Sequence, residues 1–478
     1  MAKCGFGKVV INDVWEAKYP FGTDIEGRFL YAQEADRQWL LATFDVSYMF
    51  RRTSLAWRKA VSQETGIPVQ NIWVHELQNH SAPIALELDG KPCEKLVEAS
   101  LPVIRRIMKE AQEAELAYVL VDLGDRHNIN REKYIPGLGS VTVFLGCEFD
   151  ESGRAYCQDP SAMNLGGWVP DVPAFKERIY FDAPADPQGA LLVFRTPRGD
   201  ILGTLARFSA HSDVVGGCTW DLGRRETTDT HYHFDWPGYT RQAVDSQLGG
   251  INVCVCGPCG NLSTKKRRIP GYESGDRQAR EIGTAVADEL LSEWKKVKPR
   301  WEPLHLGIQA GTNVNLPLRD TLPRRREELK GTETITKEKL EAFLNAIKNG
   351  EPAYRIKQRV DEYYHWSCMN QIVDRWAALS DRELHDQIMT VELEALRLND
   401  LVLAGLPGES MTETCQWLRA QSLGNKLIVL DQVNGYCLYQ TTAEQYDQGG
   451  YSYWGSCLAR NSERITRNKA LEVIQEAC

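Results

Sequence analysis

The chain has 478 residues, a formal net charge of −9 and an apolar content of 42%, which is ordinary for a globular protein with one large core or two to three domains. The acidic balance argues against a nucleic-acid binder, because such proteins displace counterions with many Lys and Arg contacts. The sharpest basic cluster, residues 265–268, is short and is interpreted as a solvated loop. No apolar run approaches the ~20 residues of a membrane span, so we expect no stable membrane insertion.

The N-terminus carries no apolar stretch of the length, about 7–15 residues, that a signal peptide needs. We therefore expect a cytoplasmic protein whose 13 cysteines are reduced and mostly buried. The run Cys254-Val-Cys-Gly-Pro-Cys259 has no second cysteine pair at zinc-site spacing, and it begins like a buried strand. We therefore interpret these cysteines as core residues.

Short apolar runs alternate with amphipathic stretches along the chain. The apolar runs predict strands over residues 39–45, 117–122, 141–145, 190–194, 251–255 and 427–430. Apolar residues at steps of three and four predict helices over residues 96–117 and 276–296. The alternation predicts an α/β protein with a mixed central sheet flanked by helices.

The domain organisation is interpreted as a single domain over residues 1–478. Residues 298–400 begin with prolines and then turn polar and helical, which predicts a helical excursion from the core. Residues 160–187 are rich in Pro, Gly and Asp and predict a long ordered loop near the functional site.

The most informative segment is an apolar run, residues 401–406, that ends in Pro407-Gly408 and is followed directly by Glu409. A strand that stops at such a turn tends to place its next residue at the sheet edge. A carboxylate held there can bind a metal or move a proton. The alternative is a solvated turn glutamate.

Three further segments place polar residues after apolar runs. Gln78 and His80 are two apart, so on an extended chain they face the same side. His211 ends another apolar run, and Tyr436 and Tyr439 follow an Asn-Gly turn signal. Each has an ordinary structural explanation, such as a hydrogen-bonded histidine or a core tyrosine. Composition and periodicity alone therefore stop at an α/β protein with a candidate His/Glu site.

In this order, the segments resemble the neutral/alkaline ceramidase family over about residues 5–460. The matching pieces are Gln78-Asn-His-Ser-Ala-Pro83, Asn130-Arg131, the run through His211, Asp235-Trp-Pro-Gly-Tyr239, Gly260-Asn-Leu-Ser263, Pro407-Gly-Glu409 and the stretch from Asn434 to Thr442. Seven motifs in collinear order are difficult to produce by chance. The chain ends soon after the last motif, so we expect the family's C-terminal β-sandwich domain to be missing.

The resemblance implies a zinc ion held by two histidines, a glutamate and a tyrosine, with a bound water that attacks an amide carbonyl. By position, His211, Glu409 and Tyr439 are ligands, but the family's remaining ligand position holds Gln78 in this chain. His80 can move onto the metal, Gln78 can coordinate through its harder amide oxygen, or the metal can be weakened or lost. We predict one retained zinc or other divalent ion per chain, because three ligand positions survive, and we include His80 among its ligands.

The resemblance also implies catalytic roles for Gln78, His80, Arg131 and Ser263. Arg131 would stabilise a tetrahedral oxyanion, and Ser263 would hold the substrate or the leaving amine. A surface salt bridge and a loop hydroxyl that caps its own backbone are the structural alternatives for these two residues.

The predicted function is metal-dependent hydrolysis of an amide bond in a small substrate. Without an export signal or a basic membrane-docking helix, ceramide itself is not expected to be that substrate. Aromatic residues around Trp168, Trp220, 231–236 and 451–454 are interpreted either as pocket walls or as ordinary core. Two alternatives stay open: altered chemistry on the same scaffold, as in a cyclase or an ester or lactone hydrolase, and a metal-poor ligand-binding protein.

Overall fold

The structure, a computed structural model, describes residues 1–85, 91–143, 146–158, 177–221, 226–267, 269–371 and 379–478. In chain order the first strands are β1 (Lys3–Val10), β2 (Glu26–Glu34), β3 (Arg37–Phe44), β4 (Ile72–Glu76), β5 (Gln112–Glu113), β6 (Glu115–Asp122), β7 (Asn128–Asn130), β8 (Glu132–Ile135), β9 (Gly139–Thr142), β10 (Glu148–Phe149), β11 (Ala155–Cys157) and β12 (Ile179–Tyr180). They are followed by β13 (Gln188–Arg195), β14 (Ile201–Phe208), β15 (Trp220–Asp221), β16 (Glu226–Thr227), β17 (Ile251–Cys256), β18 (Leu262–Thr264), β19 (Glu302–Pro303), β20 (Leu306–Pro317), β21 (Ile388–Leu398), β22 (Leu401–Gly405), β23 (Glu409–Ser410), β24 (Leu427–Leu430) and β25 (Tyr439–Gln440).

Helices separate many of these strands. They are α1 (Arg51–Thr65), α2 (Lys91–Lys109), α3 (Val214–Cys218), α4 (Asp235–Leu248), α5 (Tyr272–Val297), α6 (Thr332–Lys348), α7 (Ala353–Gln371), α8 (Asp381–Asp386), α9 (Thr412–Gln421), α10 (Ala443–Gln448), α11 (Tyr451–Trp454) and α12 (Ser462–Ala477). The α/β class is confirmed, and the strands are distributed over several sheets. Among the helices of the described ranges, none combines the length and apolar character of a membrane-spanning segment.

Three larger sheets organise the fold. Their strand orders are β4-β3-β2-β1-β5, β17-β14-β13-β6-β19 and β20-β21-β22-β24. Each contains one parallel pair at its end, namely β3 with β4, β14 with β17, and β22 with β24. The other described pairings in these sheets are antiparallel. Of the parallel strands, β22 and β24 are short apolar runs, as expected for strands that are buried on both faces.

The sheets share a core and carry helices on their outer faces. Trp39, Leu192 and Leu403 come from the three different sheets and belong to one cluster of buried side chains. The outer faces pack against α1 and α2, against α4 and α5, and against α9 and α12. This arrangement directs the carboxyl ends of the parallel strands toward one region.

The predicted elements are mostly confirmed. Strands occupy residues 39–44, 117–122, 190–194, 251–255 and 427–430, and α5 covers the predicted helix 276–296. The prediction over 141–145 is a strand only to Thr142, and residues 144–145 lie outside the described part of the chain. The helix predicted over 96–117 ends at Lys109, because β5 and β6 pair with β1 and β13 and this pairing overrides local helix propensity.

The segment 298–400 contains more than helices. It includes β20 and β21, which pair antiparallel along most of their length. Helices α6 and α7 lie between these two strands in sequence. Of the loop predicted over 160–187, residues 160–176 lie outside the described residues, and the remainder includes β12.

A buried ion-pair network joins two of the sheets. Asp186 pairs with Arg207 Nη2 at 2.5 Å and with Arg419 Nη1 at 2.6 Å, and all three side chains are buried. Burial opposes ionisation of Asp186, but the two guanidinium groups hold its pKa well below its usual range. Arg207 belongs to β14, and Arg419 belongs to α9, which packs against the β20-β21-β22-β24 sheet. The carboxylate therefore stabilises the contact between one sheet and a helix of another.

Asp186→Asn is expected to lower the free energy of unfolding by roughly 3–5 kcal/mol, because it leaves two buried arginines without a counter-charge. Urea unfolding followed by circular dichroism measures the change. The matched control is Asp447→Asn, which removes an exposed pair with Arg460 and should cost less than about 1 kcal/mol. Equal losses in the two variants would contradict the assignment.

A second prediction concerns pH. Burial, assisted by Glu392, raises the pKa of Glu394 to about 8; Glu394 Oε1 accepts from Asn434 Nδ2 at 3.3 Å. An unfolded glutamate ionises near pH ~4.3. Between that pH and about pH 8 the folded state therefore binds more protons than the unfolded state. The free energy of unfolding falls as pH rises through this window, by at most about 1.4 kcal/mol per pH unit. Glu394→Gln should flatten this decline, measured as urea midpoints at about pH 6 and about pH 8. The exposed control Glu472→Gln should keep the wild-type slope; an unchanged slope in both variants would refute the prediction.

Candidate active site

The candidate site lies where the ends of the parallel strands meet. Residues 77–80 follow β4, His211 follows β14, residues 257–263 follow β17, Glu409 follows β22, and Tyr439 follows β24. Ligands of open α/β sheets bind beyond the carboxyl ends of their strands. The five segments are far apart in sequence, and the three sheets bring them together.

The Pro-Gly turn before Glu409 lets the backbone of Gly408 lie against Cys437 and Leu438. Gly408 has a φ of +63°, and a Cβ on it would overlap Cys437 Sγ and the Leu438 carbonyl oxygen. The Glu409 amide donates to that Leu438 oxygen at 3.0 Å. Glu409 then begins β23, which pairs in parallel with β25 so that Glu409 lies opposite Tyr439. A glycine at this turn thus lets two predicted ligands become neighbours.

His211 and Glu409 contact each other directly. His211 Nε2 lies 3.0 Å from Glu409 Oε2, and both side chains are buried. His211 Nδ1 lies 2.9 Å from the Leu262 carbonyl oxygen, and Tyr436 Oη donates to Glu409 Oε1 at 2.6 Å. Trp236 Nε1 donates to the His211 carbonyl at 3.1 Å. Both side chains are therefore fixed in orientation by partners behind them.

Arg131 reaches the same centre from another segment. Its Nη2 donates to Tyr439 Oη at 3.0 Å and to the Gly260 carbonyl at 2.8 Å, and it lies 3.2 Å from His211 Nε2. The guanidinium stacks over the Tyr451 ring, 5.6 Å from its centre. Arg131 Nε is buried without a hydrogen-bond partner among the described residues. Arg131 is therefore buried, unlike the surface salt bridge considered as the alternative.

The electrostatics of the centre favour an anionic Glu409. Burial opposes its ionisation, but hydrogen bonds from His211, Tyr436 and Tyr439 lower its pKa to about 2. Burial and the neighbouring Glu409 raise the pKa of Tyr439 well above its usual value. Burial opposes the charge of Arg131, yet Tyr439, Asp213 and Glu409 raise its pKa. The centre thus combines a fixed negative charge with a fixed positive one.

The donor atoms of His211, Glu409 and Tyr439 fit a cation. The Leu262 carbonyl can only accept, so His211 carries a hydrogen on Nδ1, and its Nε2 is the nitrogen that faces Glu409 Oε2. A cation beside these two atoms, or a hydrogen bond between them, accounts for their 3.0 Å separation. A nitrogen and two oxygens, with the histidine oriented by a backbone carbonyl, form a set that zinc accepts.

His80 and Gln78 take different positions. The rings of His80 and His211 are 5.6 Å apart between centroids, close to the ~5 Å expected for two imidazoles on one tetrahedral ion with bonds of ~2 Å. His80 is solvent-exposed, and desolvation by the surrounding residues together with the neighbouring His211 lowers its pKa. Gln78 has a strained φ of +47°, and its Oε1 faces Cys259 Sγ at 3.5 Å. His80, rather than Gln78, therefore lies beside the other donors.

Ser263 contacts a buried ion pair. Its Oγ donates to Asp213 Oδ1 at 3.4 Å, while Lys266 Nζ lies 2.7 Å from Asp213 Oδ2. Burial opposes ionisation of Asp213, but Lys266, His211 and His80 lower its pKa. Lys266 is buried, so the interpretation of residues 265–268 as a solvated loop is wrong at this position. A tertiary counter-charge, invisible in the sequence, stabilises Lys266 there.

His75 contacts two of the segments that carry site residues. Its Nδ1 lies 2.7 Å from the Asp431 carbonyl, and its Nε2 accepts from the Cys256 amide at 2.9 Å. Burial lowers the pKa of His75 to about 4. The neutral imidazole of His75, on β4, therefore contacts the end of β17 through one ring nitrogen and the residue after β24 through the other. In this way it connects the three larger sheets.

Sequence reasoning missed several of these residues. Asp213 follows His211 by two positions, so the same-face argument applied to Gln78 and His80 could have found it. Tyr436 was noticed but given no role. His75 and Lys266 left no local signal. The Tyr451 ring lies 5.7 Å from the Tyr439 ring between centroids, so the 451–454 aromatic group reaches the centre.

Other aromatic predictions divide. Trp236 is fully buried and packs in the core between α4 and its sheet. Trp168 and the side chain of Trp220 lie outside the described residues. Within the part of the chain that the structure describes, no group of three or more His, Cys, Asp or Glu side chains is arranged to hold a metal ion. The predicted ligands include three such side chains, His80, His211 and Glu409, so these three are not arranged as a metal site in this structure. The ligand and catalytic roles of these residues stay predictions.

Comparison with known proteins identifies the scaffold. No family model matches the sequence, and no curated protein matches it. Among solved structures, the neutral ceramidase from Pseudomonas aeruginosa matches with a TM-score of 0.62 and 15% identity, over 100% of this chain and 74% of that chain. A ceramidase complexed with C2 matches with a TM-score of 0.62 and 14% identity, over 100% of this chain and 75% of that chain. The fold is ceramidase-like.

This likeness extends over the whole chain and confirms the fold that the motifs predicted. At such identities it is a likeness of fold, on which unrelated substrates can be accommodated by different sites. The residues at the strand ends must therefore supply the argument for any particular reaction.

Proposed function

We propose that this protein hydrolyses an amide bond of a small, non-ceramide substrate and uses one zinc or other divalent ion. One observation carries the proposal. His211 Nε2 and Glu409 Oε2 lie 3.0 Å apart, and Arg131 Nη2 contacts both His211 Nε2 and Tyr439 Oη. These residues lie at the strand ends of a ceramidase-like fold. Such a convergence of buried donors is costly unless a charged partner uses it.

The residues that would hold the ion are His80, His211, Glu409 and Tyr439. A bound divalent ion lowers the pKa of water toward ~7 and polarises an acyl carbonyl. His80 is the fourth donor in this proposal, because its ring is next to that of His211 whereas Gln78 faces Cys259.

The remaining residues act on the substrate and the proton. Arg131 is a fixed, buried cation beside Tyr439, so it can stabilise the negative charge that develops on the carbonyl oxygen. Glu409 is an anion whose Oε1 accepts from Tyr436, and it can accept the proton of the attacking water. Ser263, held by Asp213, can orient the leaving amine.

A metal-poor ligand-binding protein is the second candidate, and one contact favours it. Arg131 Nη2 lies 3.2 Å from His211 Nε2 and 3.0 Å from Tyr439 Oη, so the guanidinium already supplies positive charge to two of the donors. In that case Arg131 would bind an anionic or carbonyl group of a ligand without turnover. Cyclase, ester or lactone chemistry on the same site stays a prediction.

Metal analysis and a substrate panel test the proposal together. Purified untagged protein is analysed by mass spectrometry for bound metal, before and after chelation, and is then assayed against small amides and their matched esters. About one ion per chain with amide hydrolysis that chelation removes would support the proposal. No metal after reconstitution and no turnover would refute it in favour of ligand binding, and ester cleavage without amide cleavage would refute the amide assignment.

A further inference from the structure

A cavity of about 1020 Å³ lies between α1, the paired strands β20 and β21, and the start of α8. Five of the residues that line it are cationic and two are acidic, so the cavity wall carries an excess of three positive charges. This excess is opposite in sign to the net charge of the whole chain, which is −9. The cationic residues of this basic cavity are Arg51, Arg52, Lys59, Arg326 and Arg382.

Helix α1 presents two of these cations without a counter-charge. Arg52 and Lys59 are both exposed, and within the described ranges neither side chain has a hydrogen bond or an ion pair. Arg51 and Arg58 of the same helix differ, because both pair with Glu392. Since Arg52 and Lys59 are seven positions apart, they lie on one face of α1, two turns and about 10 Å from each other.

The beginning of α1 adds to the positive potential of the cavity. Arg51 and Arg52 occupy the first turn, this turn contains no acidic residue, and the side chain of the preceding Phe50 caps no amide. The N-terminal end of a helix carries about half a positive charge, so a cation there is unfavourable and an anion is favourable. Glu392 offsets this effect for Arg51. A bound anion would offset it for Arg52.

The two acidic residues of the cavity wall are engaged by other groups. Asp381 Oδ1 lies 2.7 Å from Arg326 Nε. Glu383 Oε2 accepts from the Ser380 amide at 2.9 Å, and its Oε1 accepts from the Thr390 amide at 2.9 Å. These carboxylates therefore hold the wall opposite α1 together and do not neutralise the two unpaired cations of the helix.

We propose that the basic cavity binds a small soluble polyanion that carries several phosphate groups. An arginine fork can bind two phosphate oxygens at once, and a lysine adds a point charge. Cations about 10 Å apart along α1 favour a ligand with more than one phosphate. None of the described lining residues is aromatic, so the cavity lacks a platform on which a nucleobase could stack. This favours an inorganic polyphosphate or a phosphorylated polyol over a nucleotide. The inference is independent of the proposed function, because no predicted ligand or catalytic residue lines the cavity.

Calorimetric titration of the full-length protein tests the proposal. Inorganic tripolyphosphate and inositol hexakisphosphate are titrated separately, at low salt and at about 0.15 M sodium chloride. We expect one bound polyanion per chain and an affinity that falls as salt rises. Tighter binding of tripolyphosphate would assign the site to inorganic polyphosphate, and tighter binding of the inositol compound would assign it to a phosphorylated polyol. Absence of binding by both compounds at low salt would overturn the proposal.

A matched pair of double variants locates the binding. Arg52→Gln combined with Lys59→Gln should weaken binding roughly 10-fold or more, because it removes two charge-assisted contacts. Lys295→Gln combined with Arg300→Gln removes the same charge at and beyond the end of α5 and should bind like the wild type. Equal weakening in both double variants would show a response to net charge alone and would overturn the site.

A measurement on the wild-type protein keeps the test decisive if the cavity variant does not fold. Lysines are acetylated with and without tripolyphosphate, and the modified positions are mapped by mass spectrometry. Bound tripolyphosphate should slow acetylation of Lys59 and leave that of Lys295 unchanged. Equal rates at Lys59 with and without tripolyphosphate would contradict the proposed site.

Discussion

His211→Ala is expected to eliminate bound metal and to reduce amide hydrolysis by roughly 1,000-fold or more, because a divalent ion supplies several kcal/mol of transition-state stabilisation. His211 Nε2 faces Glu409 Oε2, and its Nδ1 is fixed on the Leu262 carbonyl, so the alanine variant loses an oriented nitrogen donor. Metal content by mass spectrometry and single-turnover hydrolysis measure the two effects.

The matched control for this variant is His231→Ala. His231 is partly exposed and pairs with Asp229 rather than with the site. It should keep the wild-type metal content and rate. Circular dichroism and the urea midpoint show whether His211→Ala remains folded. A folded His211→Ala variant that keeps its metal would exclude His211 as a ligand and would remove the main support for the proposed function.

Arg131→Gln is expected to lower kcat by about 100–1,000-fold while metal content stays the same, because a preorganised donor to a developing oxyanion contributes about 2.7–4 kcal/mol. KM should change less than kcat, since the charge on the carbonyl oxygen develops in the transition state. Arg131→Lys should be intermediate, because an ammonium keeps the charge but loses the planar fork that contacts Tyr439 and Gly260.

The comparison variant is Arg126→Gln, which removes an exposed arginine that pairs with Glu289 and should leave kcat unchanged. The metal readout also separates the two candidate functions. If Arg131→Gln instead gains metal that the wild-type protein does not hold, the guanidinium occupies the place of the cation, and the metal-poor interpretation is correct. An unchanged kcat in a folded Arg131→Gln variant would show that Arg131 does not stabilise the reaction.

The sequence by itself determined the elements whose stability is local or patterned. The apolar runs of β22 and β24 predicted buried strands, and both strands are buried at every position. Pro407-Gly408 predicted the turn before Glu409. The collinear motifs predicted the ceramidase-like fold. The predicted continuation of the helix past Lys109 was wrong, because the residues after it pair with distant strands.

Only the tertiary structure decided the site. His211 and Glu409 are 198 positions apart, and Arg131 and Tyr439 are 308 apart, so no local spacing encodes their contacts. The orientation of Gln78 toward Cys259 depends on a left-handed backbone and on the position of β17. Lys266 lay in a run of basic residues, and only its buried partner Asp213 explains it. The physical reason is that a hydrophobic pattern specifies which residues are inside, whereas charge and hydrogen-bond partners are specified by the packing of three sheets.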